Sequence, residues 1–550
     1  MKILVEGIRY NMLDLSRIFD DSKFYIQNGN EGTIVSVGYY HSFKTNEIVY
    51  LLPKVFLKDD LIFGYSPQEI IKKELSLSIT HDPRYLWIRS LLVYFYKSLY
   101  EFKKRSYNTL LFSPDSIFSL NTNIGKYEYS YLDLLLSIIN FYKKNKTSLL
   151  FHHVEMKSRT LKKTKWDKTI RTTLPIMDNN EQPVYILFQN KKKQINLEEE
   201  LLIYFLSIVN YLNEEHSLGL SIDKSYSIIK GHKFKHLLSN GLSKIKKIKY
   251  RYFSDTLRRM YFLSELFFSQ TDTSSRKKRE DEFISINNYN IVFEDMIDKL
   301  FSDQLNNNLA DLKNNKDGKI IDHVYEGLSL IDTNNIFYIG DSKYYRPGNE
   351  AGKLSIYKQF TYSKNIIQFN IDLFNHTGSY YNSNIRYRDE ITEGYSITPN
   401  FFIYGHIDNL TDFSNPDIRR IGLPRKSFHY QDRLFDRDTL FIQQYRINFL
   451  FVIRAYTELS STDINKFREK VKQKFREQFI IFFNNSQDCQ FTFYKKNLSN
   501  PEVCSLIEKN FRILNGKSFY SNNQDLIIAK YTIDTSINHL ITDFEEFNLE

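Results

Sequence analysis

An acid and a lysine stand two residues apart at the end of an apolar segment, in the stretch IFYIGDSKYY from Ile336 to Tyr345. Because alternate side chains of a strand point to the same face, we expect Asp341 and Lys343 to lie side by side. A carboxylate can hold Mg²⁺ while a neighbouring amine orients or deprotonates the attacking water. This is the chemistry of metal-dependent phosphodiester cleavage, so the pair indicates a nuclease.

The acid-x-lysine pattern is short, and it recurs in this chain. Asp-x-Lys is found again at residues 21–23, 311–313 and 317–319, and Glu155-Met156-Lys157 follows another apolar run. An isolated match is more often an exposed ion pair at a strand end than a catalytic pair. The interpretation of Asp341 therefore depends on residues elsewhere in the chain.

Three other residues have the types and the local context to complete such a site: Glu294, Asp322 and Gln359. Asp322 precedes the Asp341 segment by nineteen residues, across the turn Thr333-Asn334-Asn335. We expect the two aspartates to lie on adjacent strands and to ligate one Mg²⁺, which needs only one or two carboxylates plus the phosphate. Glu326 and Asp332 are alternatives to Asp322, and Asp332 is the less favoured of the two because it lies close to the turn.

The remaining roles follow from charge and reach. The carbonyl of Ser342 is predicted to add a third metal oxygen, and Lys343 to position the nucleophilic water and offset charge that develops on the phosphate. Glu294 is predicted to hold a second metal ion or a metal-bound water, and Gln359 to steady the lysine or a backbone phosphate. The histidines, including His323, have no spacing that indicates a zinc site.

Hydrophobic periodicity predicts the elements that position these residues, and the predicted fold class is α/β, in a multidomain α+β chain. We expect a small β module over residues 1–64, a mainly helical region over 65–275 for partner or DNA interaction, and an α/β nuclease domain with a helical extension over 280–550. In YNIVFEDMIDKLFSDQL the apolar residues at i, i+3, i+4, i+7 and i+8 predict an amphipathic helix that carries Glu294. A β-hairpin, a helix with Gln359 and Tyr362, and a strand in NFFIYGHI should follow.

Some segments have less distinctive patterns. Residues 148–156 and 166–170 look extended, whereas TLFIQQYRINFLFVIRAY and TDINKFREKVKQKFREQF look helical. Long helices are also predicted in PRYLWIRSLLVYFYKSLYEFKK, YLDLLLSIINFYKK, LEEELLIYFLSIVNYL and SDTLRRMYFLSELFFSQ, and a surface linker in residues 271–281.

Composition limits the class of protein. The chain has 550 residues, 42% of them apolar, which excludes a disordered protein. The net charge of +10 suits a polyanionic partner. Only two cysteines and no apolar run of about 20 residues are present, so we expect a cytoplasmic protein without a membrane span.

Several landmarks together resemble a known family. FED at 293–295, IID at 320–322, IGDSKYY at 339–345 and YKQFTY at 357–362 resemble the PD-(D/E)xK nuclease domain of McrC-like proteins. Outside that domain, the chain is similar to the LlaJI restriction endonuclease family in SVGYYHS, LLPKVFL, WDKTI and YRINFLFVIRAY.

The resemblance implies the DNA-cleaving subunit of a bacterial restriction, or anti-phage, system. Such a subunit cuts double-stranded DNA together with a separate McrB-like AAA+ GTPase, on which its amino-terminal portion would dock, and self-association would serve double-strand cleavage. The chain itself is not expected to hydrolyse nucleotides, because its Gly516-Lys517-Ser518 has Phe511 where a P-loop needs an earlier glycine.

Basic clusters are candidates for contact with the DNA backbone. The first cluster is RKKR at 276–279. In the second cluster the charged residues are interleaved with Ile and Tyr; they are Lys244, Lys246, Lys247, Lys249 and Arg251. A solvated helix face is the competing interpretation. Two alternatives to the DNA nuclease also stay open: a non-catalytic adaptor with a decayed nuclease fold, and a nuclease that cuts RNA.

Overall fold

The computed structural model describes most of the chain, and every structural statement below concerns the described residues. These are residues 2–19, 22–41, 48–62, 64–72, 131–145, 151–195, 199–215, 220–222, 226–251, 255–271, 282–303, 321–377, 384–409, 412–427 and 430–550, with single positions between 91 and 105. The architecture is mixed α/β. None of the described helices combines the length and the apolar character that a bilayer crossing requires.

Two small sheets form the amino-terminal module. The first has the strand order Lys2–Val5, Ile48–Leu52, Val37–His41 and Glu282–Ile286, with the first pair parallel and the others antiparallel. The second sheet is antiparallel, with the strand order Arg9–Asn11, Glu31–Ile34 and Tyr25–Asn28. The module also contains three short helices, Met12–Ile18, Ser22–Phe24 and Lys54–Phe56. Because its last strand, Glu282–Ile286, lies at the start of the predicted nuclease region, the first sheet joins the two parts of the chain.

The described residues in the middle of the chain are mainly helical. The helices there are Pro67–Lys72, Tyr131–Asn145, Glu200–Glu215, Gly231–Lys247, Lys249–Arg251 and Asp255–Thr271. An antiparallel ribbon, Phe151–Ser158 with Phe188–Ile195, interrupts them, together with a short pair, Ile176–Met177 with Pro183–Val184. The helix predicted near residues 83–104 lies largely outside the described residues, as does most of the linker predicted at 271–281.

One prediction in this region is wrong. Residues Trp166–Thr172 form a helix rather than an extended segment. Asp167 stands in its first turn and Arg171 in its last, which complements the helix dipole. The Thr169 hydroxyl donates to the carbonyl of Lys165 at 2.9 Å and accepts from the Gln189 amide at 3.0 Å, so the turn is held against the ribbon.

A five-stranded sheet forms the core of the predicted nuclease region. Its strand order is His323–Leu328, Asn335–Lys343, Pro399–His406, Leu440–Asn448 and Ile418–Ser427. The three central strands are parallel, and each edge strand is antiparallel to its neighbour. The carboxyl ends of the central strands therefore meet at one edge of the sheet, where open α/β sheets place their ligands.

Helices cover both faces of this sheet. The predicted amphipathic helix is Tyr289–Phe301, and its apolar stripe is completely buried. It shares one face with helices Phe449–Glu458 and Ser461–Asn484, while helix Lys353–Thr377 lies on the other. The predicted hairpin and the strand Pro399–His406 are confirmed.

The predicted helix in TLFIQQYRINFLFVIRAY is wrong in its first half. Residues Leu440–Asn448 form a central strand, and the helix begins only at Phe449. The side chain of Asn448 caps it by accepting from the Leu450 amide at 3.0 Å. A strand covered on both faces has apolar residues on both sides, so it lacks the alternation that would have identified it.

The carboxyl-terminal part adds a four-stranded sheet and two helices. The strand order is Ser518–Tyr520, Asp525–Tyr531, Phe491–Asn497 and Glu545–Phe547, and the helices are Ser486–Cys489 and Asn500–Leu514. Lys517 lies here and is only 6% exposed, and its Nζ is 2.6 Å from carboxylates of both Asp432 and Asp534. The buried lysine of the Gly-Lys-Ser sequence is therefore engaged in an ion cluster with two aspartates.

Candidate active site

The sheet register brings the two predicted metal-binding aspartates together. His323 pairs with Gly340 in the antiparallel hairpin, so Asp322, one residue earlier, stands opposite Asp341. Asp341 and Lys343 form an ion pair, and their side chains are only 7% and 10% exposed. The Lys343 ammonium also lies 5.0 Å from the centre of the Phe402 ring. Alternation along the strand thus places the acid and the lysine as the sequence predicts.

Glu294 joins these residues from the helix Tyr289–Phe301. Burial raises the pKa of Glu294 to about 7, and the nearby Asp341 carboxylate adds to the rise. Burial also raises the pKa of Asp322 well above its usual range, with further contributions from Asp341 and Glu294. These three carboxylates therefore share one partly enclosed space with Lys343.

This electrostatic arrangement fits a divalent cation. Burial, and then repulsion by the neighbouring carboxylates, raises the pKa values of Glu294 and Asp322, and Lys343 opposes this only in part. A bound Mg²⁺ would relieve the repulsion, and it takes hard oxygen ligands of this kind while keeping several waters.

Tyr362 is a further neighbour of the acids. It lies on helix Lys353–Thr377, and burial raises its pKa to about 12, with added effects from Asp322, Asp341 and Glu294. The phenol is consequently protonated at neutral pH, and it can donate a hydrogen bond to a group held among the carboxylates. The sequence had placed Tyr362 on the right helix without assigning it a role.

Gln359 is close to the site but has different contacts from those predicted. Its fully buried amide donates to the carbonyl of Ile339 at 3.0 Å and to Oδ1 of Asn400 at 3.1 Å. Ser363, one turn later, donates to the same Asn400 oxygen at 2.6 Å. Gln359 thus ties its helix to the two strands beside the site, and the predicted contact with Lys343 is not among its hydrogen bonds.

The side chain of Ser342 faces away from Asp341 and Lys343. Its hydroxyl lies 2.9 Å from Nε2 of His323, whose Nδ1 lies 3.5 Å from a carboxylate oxygen of Asp298. His323 is fully buried and links the two strands that carry the aspartates. The metal contact predicted for the Ser342 carbonyl stays a prediction.

The competing acid-lysine matches lack such surroundings where the structure describes them. Glu155-Met156-Lys157 lies on the ribbon strand Phe151–Ser158, and both Met156 and Lys157 are exposed. The three other Asp-x-Lys matches have residues outside the described ranges. Glu326, one alternative to Asp322, pairs with Phe337 and accepts a hydrogen bond from Asn335 at 2.7 Å. The register therefore favours Asp322.

A second group of potential metal ligands lies at the end of strand Pro399–His406. His406, Asp408 and Asp417 have ligand atoms within 4.8 Å of one another. Arg419 contacts both carboxylates, at 2.8 Å in the case of Asp408. Burial lowers the pKa of His406, and Asp408 opposes this change. Because the guanidinium already supplies the positive charge, the group is explained as a salt-bridge cluster.

The residues of the predicted basic cluster are exposed to solvent. They lie on helix Gly231–Lys247 and the turn Lys249–Arg251. We call these five residues the helical basic surface: Lys244, Lys246, Lys247, Lys249 and Arg251. The neighbouring Tyr250 is 83% exposed, while Arg251 lies 2.9 Å from Glu200. The surface is thus open to contact with a polyanion. The RKKR run at 276–279 lies outside the described residues.

Comparison with known proteins adds no assignment to this geometry. No protein-family model matches the chain, and no curated protein matches it.

Proposed function

We propose that this chain is the DNA-cleaving subunit of a bacterial restriction system and hydrolyses phosphodiester bonds with Mg²⁺. The observation that carries the proposal is the convergence of Asp322, Asp341, Lys343 and Glu294 from two strands and one helix. These residue types, in a partly enclosed site at a sheet edge, suit metal-assisted phosphodiester hydrolysis better than any other reaction class.

The residues have distinct roles in this reaction. Asp322 and Asp341 would hold Mg²⁺, with Glu294 beside them, and the ion would supply Lewis-acid activation of the phosphate and of a water. The Lys343 ammonium, fixed by Asp341, orients the attacking water and offsets the negative charge of the transition state. The protonated phenol of Tyr362 is placed to donate a hydrogen bond to the water or the phosphate.

The proposed partner is a separate McrB-like AAA+ GTPase, and this part rests on the sequence resemblance to LlaJI and McrC-like proteins. The buried ion cluster around Lys517 is consistent with a chain that leaves nucleotide hydrolysis to another subunit. The proposed substrate is double-stranded DNA, for which the exposed helical basic surface is a suitable contact.

The test is cleavage of plasmid DNA by the purified chain with a McrB-like AAA+ NTPase, Mg²⁺ and nucleotide. We expect Asp341→Asn and Lys343→Ala to reduce the cleavage rate at least about a hundredfold, because each removes a group that stabilises the transition state. Lys470→Ala is the matched control, since Lys470 is exposed on helix Ser461–Asn484. Calorimetric titration should show that Asp341→Asn also loses Mg²⁺ binding, whereas Lys343→Ala keeps it.

Wild-type cleavage by Asp341→Asn would refute the site and favour the non-catalytic adaptor, with the cutting done by another subunit. A matched RNA duplex, digested in parallel, decides the nucleic acid: preferential cutting of the RNA would refute the DNA assignment while keeping the metal site.

A further inference from the structure

A cavity of about 390 Å³ lies where the amino-terminal module meets the carboxyl ends of the central strands. Lys58 lines it from the module, on the turn that follows helix Lys54–Phe56. Tyr345, Tyr404 and Arg446 line it from the five-stranded sheet. None of these four residues has a role in the site described above.

The sheet register places this cavity beside Lys343. Lys343 pairs with Tyr404 on the next strand, and Tyr404 pairs with Arg446 on the strand after that. Side chains at paired positions point to the same face, so the three form a row across the sheet. With strands about 4.8 Å apart, the Arg446 backbone lies about 10 Å from that of Lys343.

The lining acids are mostly neutralised by neighbours, whereas two lining cations are not. Glu350 is paired with Arg425, and Asp408 lies 2.8 Å from Arg419. Arg446 and Lys58 are exposed, and within the described part of the chain no carboxylate lies at ion-pair distance from either. These two cations outnumber the one remaining lining acid, Asp59, which lies exposed on the same turn as Lys58.

One wall of the cavity is aromatic. The rings of Tyr345 and Tyr404 lie 6.1 Å apart, and the Tyr404 hydroxyl accepts a hydrogen bond from the Ala351 amide at 2.9 Å. Tyr345 is half-buried, so part of its ring faces the cavity. Aromatic faces bind bases and sugars without regard to sequence, and unpaired cations bind phosphate.

We infer that this cavity binds the nucleotide next to the phosphate that is cleaved, with Arg446 and Lys58 on its phosphate and Tyr345 against its sugar or base. The inference rests on the proposed function and deepens it, because it gives the path of the DNA strand. That path leaves Lys343 along the sheet edge and passes between the nuclease core and the amino-terminal module. Lys58 contacts the DNA strand from the side of the module.

Binding of a fluorescein-labelled DNA duplex tests this inference independently of cleavage. The measurement is fluorescence anisotropy in the Lys343→Ala background, between about 50 and 200 mM salt. Arg446→Ala should weaken binding about tenfold, since it removes a charge-assisted hydrogen bond to phosphate. It should also lower the slope of log Kd against log salt by about 0.9, the value for one phosphate contact. Arg446→Lys should recover most of the affinity.

Two other variants provide a second test of the cavity and a control. Lys58→Ala should weaken binding in the same way from the opposite wall. Arg420→Ala should leave binding unchanged, because Arg420 is exposed but pairs with Tyr445, so it faces the opposite side of the sheet from Arg446.

Arg446→Ala and Lys58→Ala proteins that bind as tightly as Arg420→Ala would overturn the cavity assignment. In that case the loss of cleavage in Asp341→Asn would still support the proposed function. If the parent protein does not bind DNA at all, both the cavity assignment and the proposed function fail.

Discussion

Replacing Glu294 by glutamine gives a measurable test of the electrostatics of the candidate site. In the fold the pKa of Glu294 is raised from 4.5 to about 7, chiefly by burial and by the Asp341 carboxylate. At about 1.36 kcal/mol per pKa unit, ionising it in the folded protein costs about 3 kcal/mol more than in the unfolded chain. Because the site is partly open to solvent, we expect a net effect of about 1 to 3 kcal/mol.

The sign of the effect depends on pH. A carboxyl group with a raised pKa destabilises the fold only where it is ionised in the unfolded chain, so the cost is absent well below pH 4.5 and complete above about pH 7. Without metal, Glu294→Gln should therefore stabilise the protein at pH 8 by about 1 to 3 kcal/mol, and at pH 5 by less than about 1 kcal/mol.

Hydrogen exchange of the helix Tyr289–Phe301 is the appropriate assay, because it reports local stability in a large protein. At pH 8, and after correction for intrinsic rates, exchange should slow about 5-fold to 150-fold in Glu294→Gln, the equivalent of about 1 to 3 kcal/mol. Mg²⁺ should protect this helix in the wild type at pH 8 and protect it less in the variant. Glu477→Gln, at an exposed acid on helix Ser461–Asn484, is the control.

The reasoning is refuted if Glu294→Gln exchanges faster than the wild type at both pH values. That result would mean that the carboxylate stabilises the fold through its own contacts, and that the acids do not repel one another.

Two further predictions concern regions away from the site. Lys517→Met should lower the stability of the carboxyl-terminal part by about 1 to 3 kcal/mol, seen as a lower unfolding midpoint, because Asp432 and Asp534 lose their shared cation and Asp432 is partly exposed to solvent. An unchanged midpoint together with a loss of nucleotide binding would instead indicate a nucleotide site. Alanine replacement across the helical basic surface should weaken duplex binding. It should also reduce the slope of log Kd against log salt by about 0.9 for each phosphate that the surface neutralises. An unchanged slope would show that this surface does not contact DNA.

The sequence by itself determined the local features of the candidate site. Alternation along one strand placed Asp341 and Lys343 on the same face, and helical periodicity identified the buried stripe of the helix that carries Glu294. The hairpin followed from a turn between two apolar segments. Each of these depends on residues close in sequence, where geometry is set by the period of a single element.

Tertiary structure decided what depends on packing between elements. Residues Leu440–Asn448 form a central strand of the sheet rather than a helix. Because both faces of this strand are buried, its sequence lacks the alternating pattern by which a strand is recognised. Gln359 has the predicted helix but not the predicted contact, because its amide satisfies Ile339 and Asn400 in the buried interior.

Tertiary structure also decided which acid belongs to the candidate site. The choice of Asp322 over Glu326 required the strand register, since a shift of the pairing would bring a different acid opposite Asp341. The row from Lys343 through Tyr404 to Arg446 joins three strands that are far apart in the chain. No local pattern encodes such a row, because it exists only once the parallel strands have paired and their carboxyl ends lie at one edge of the sheet.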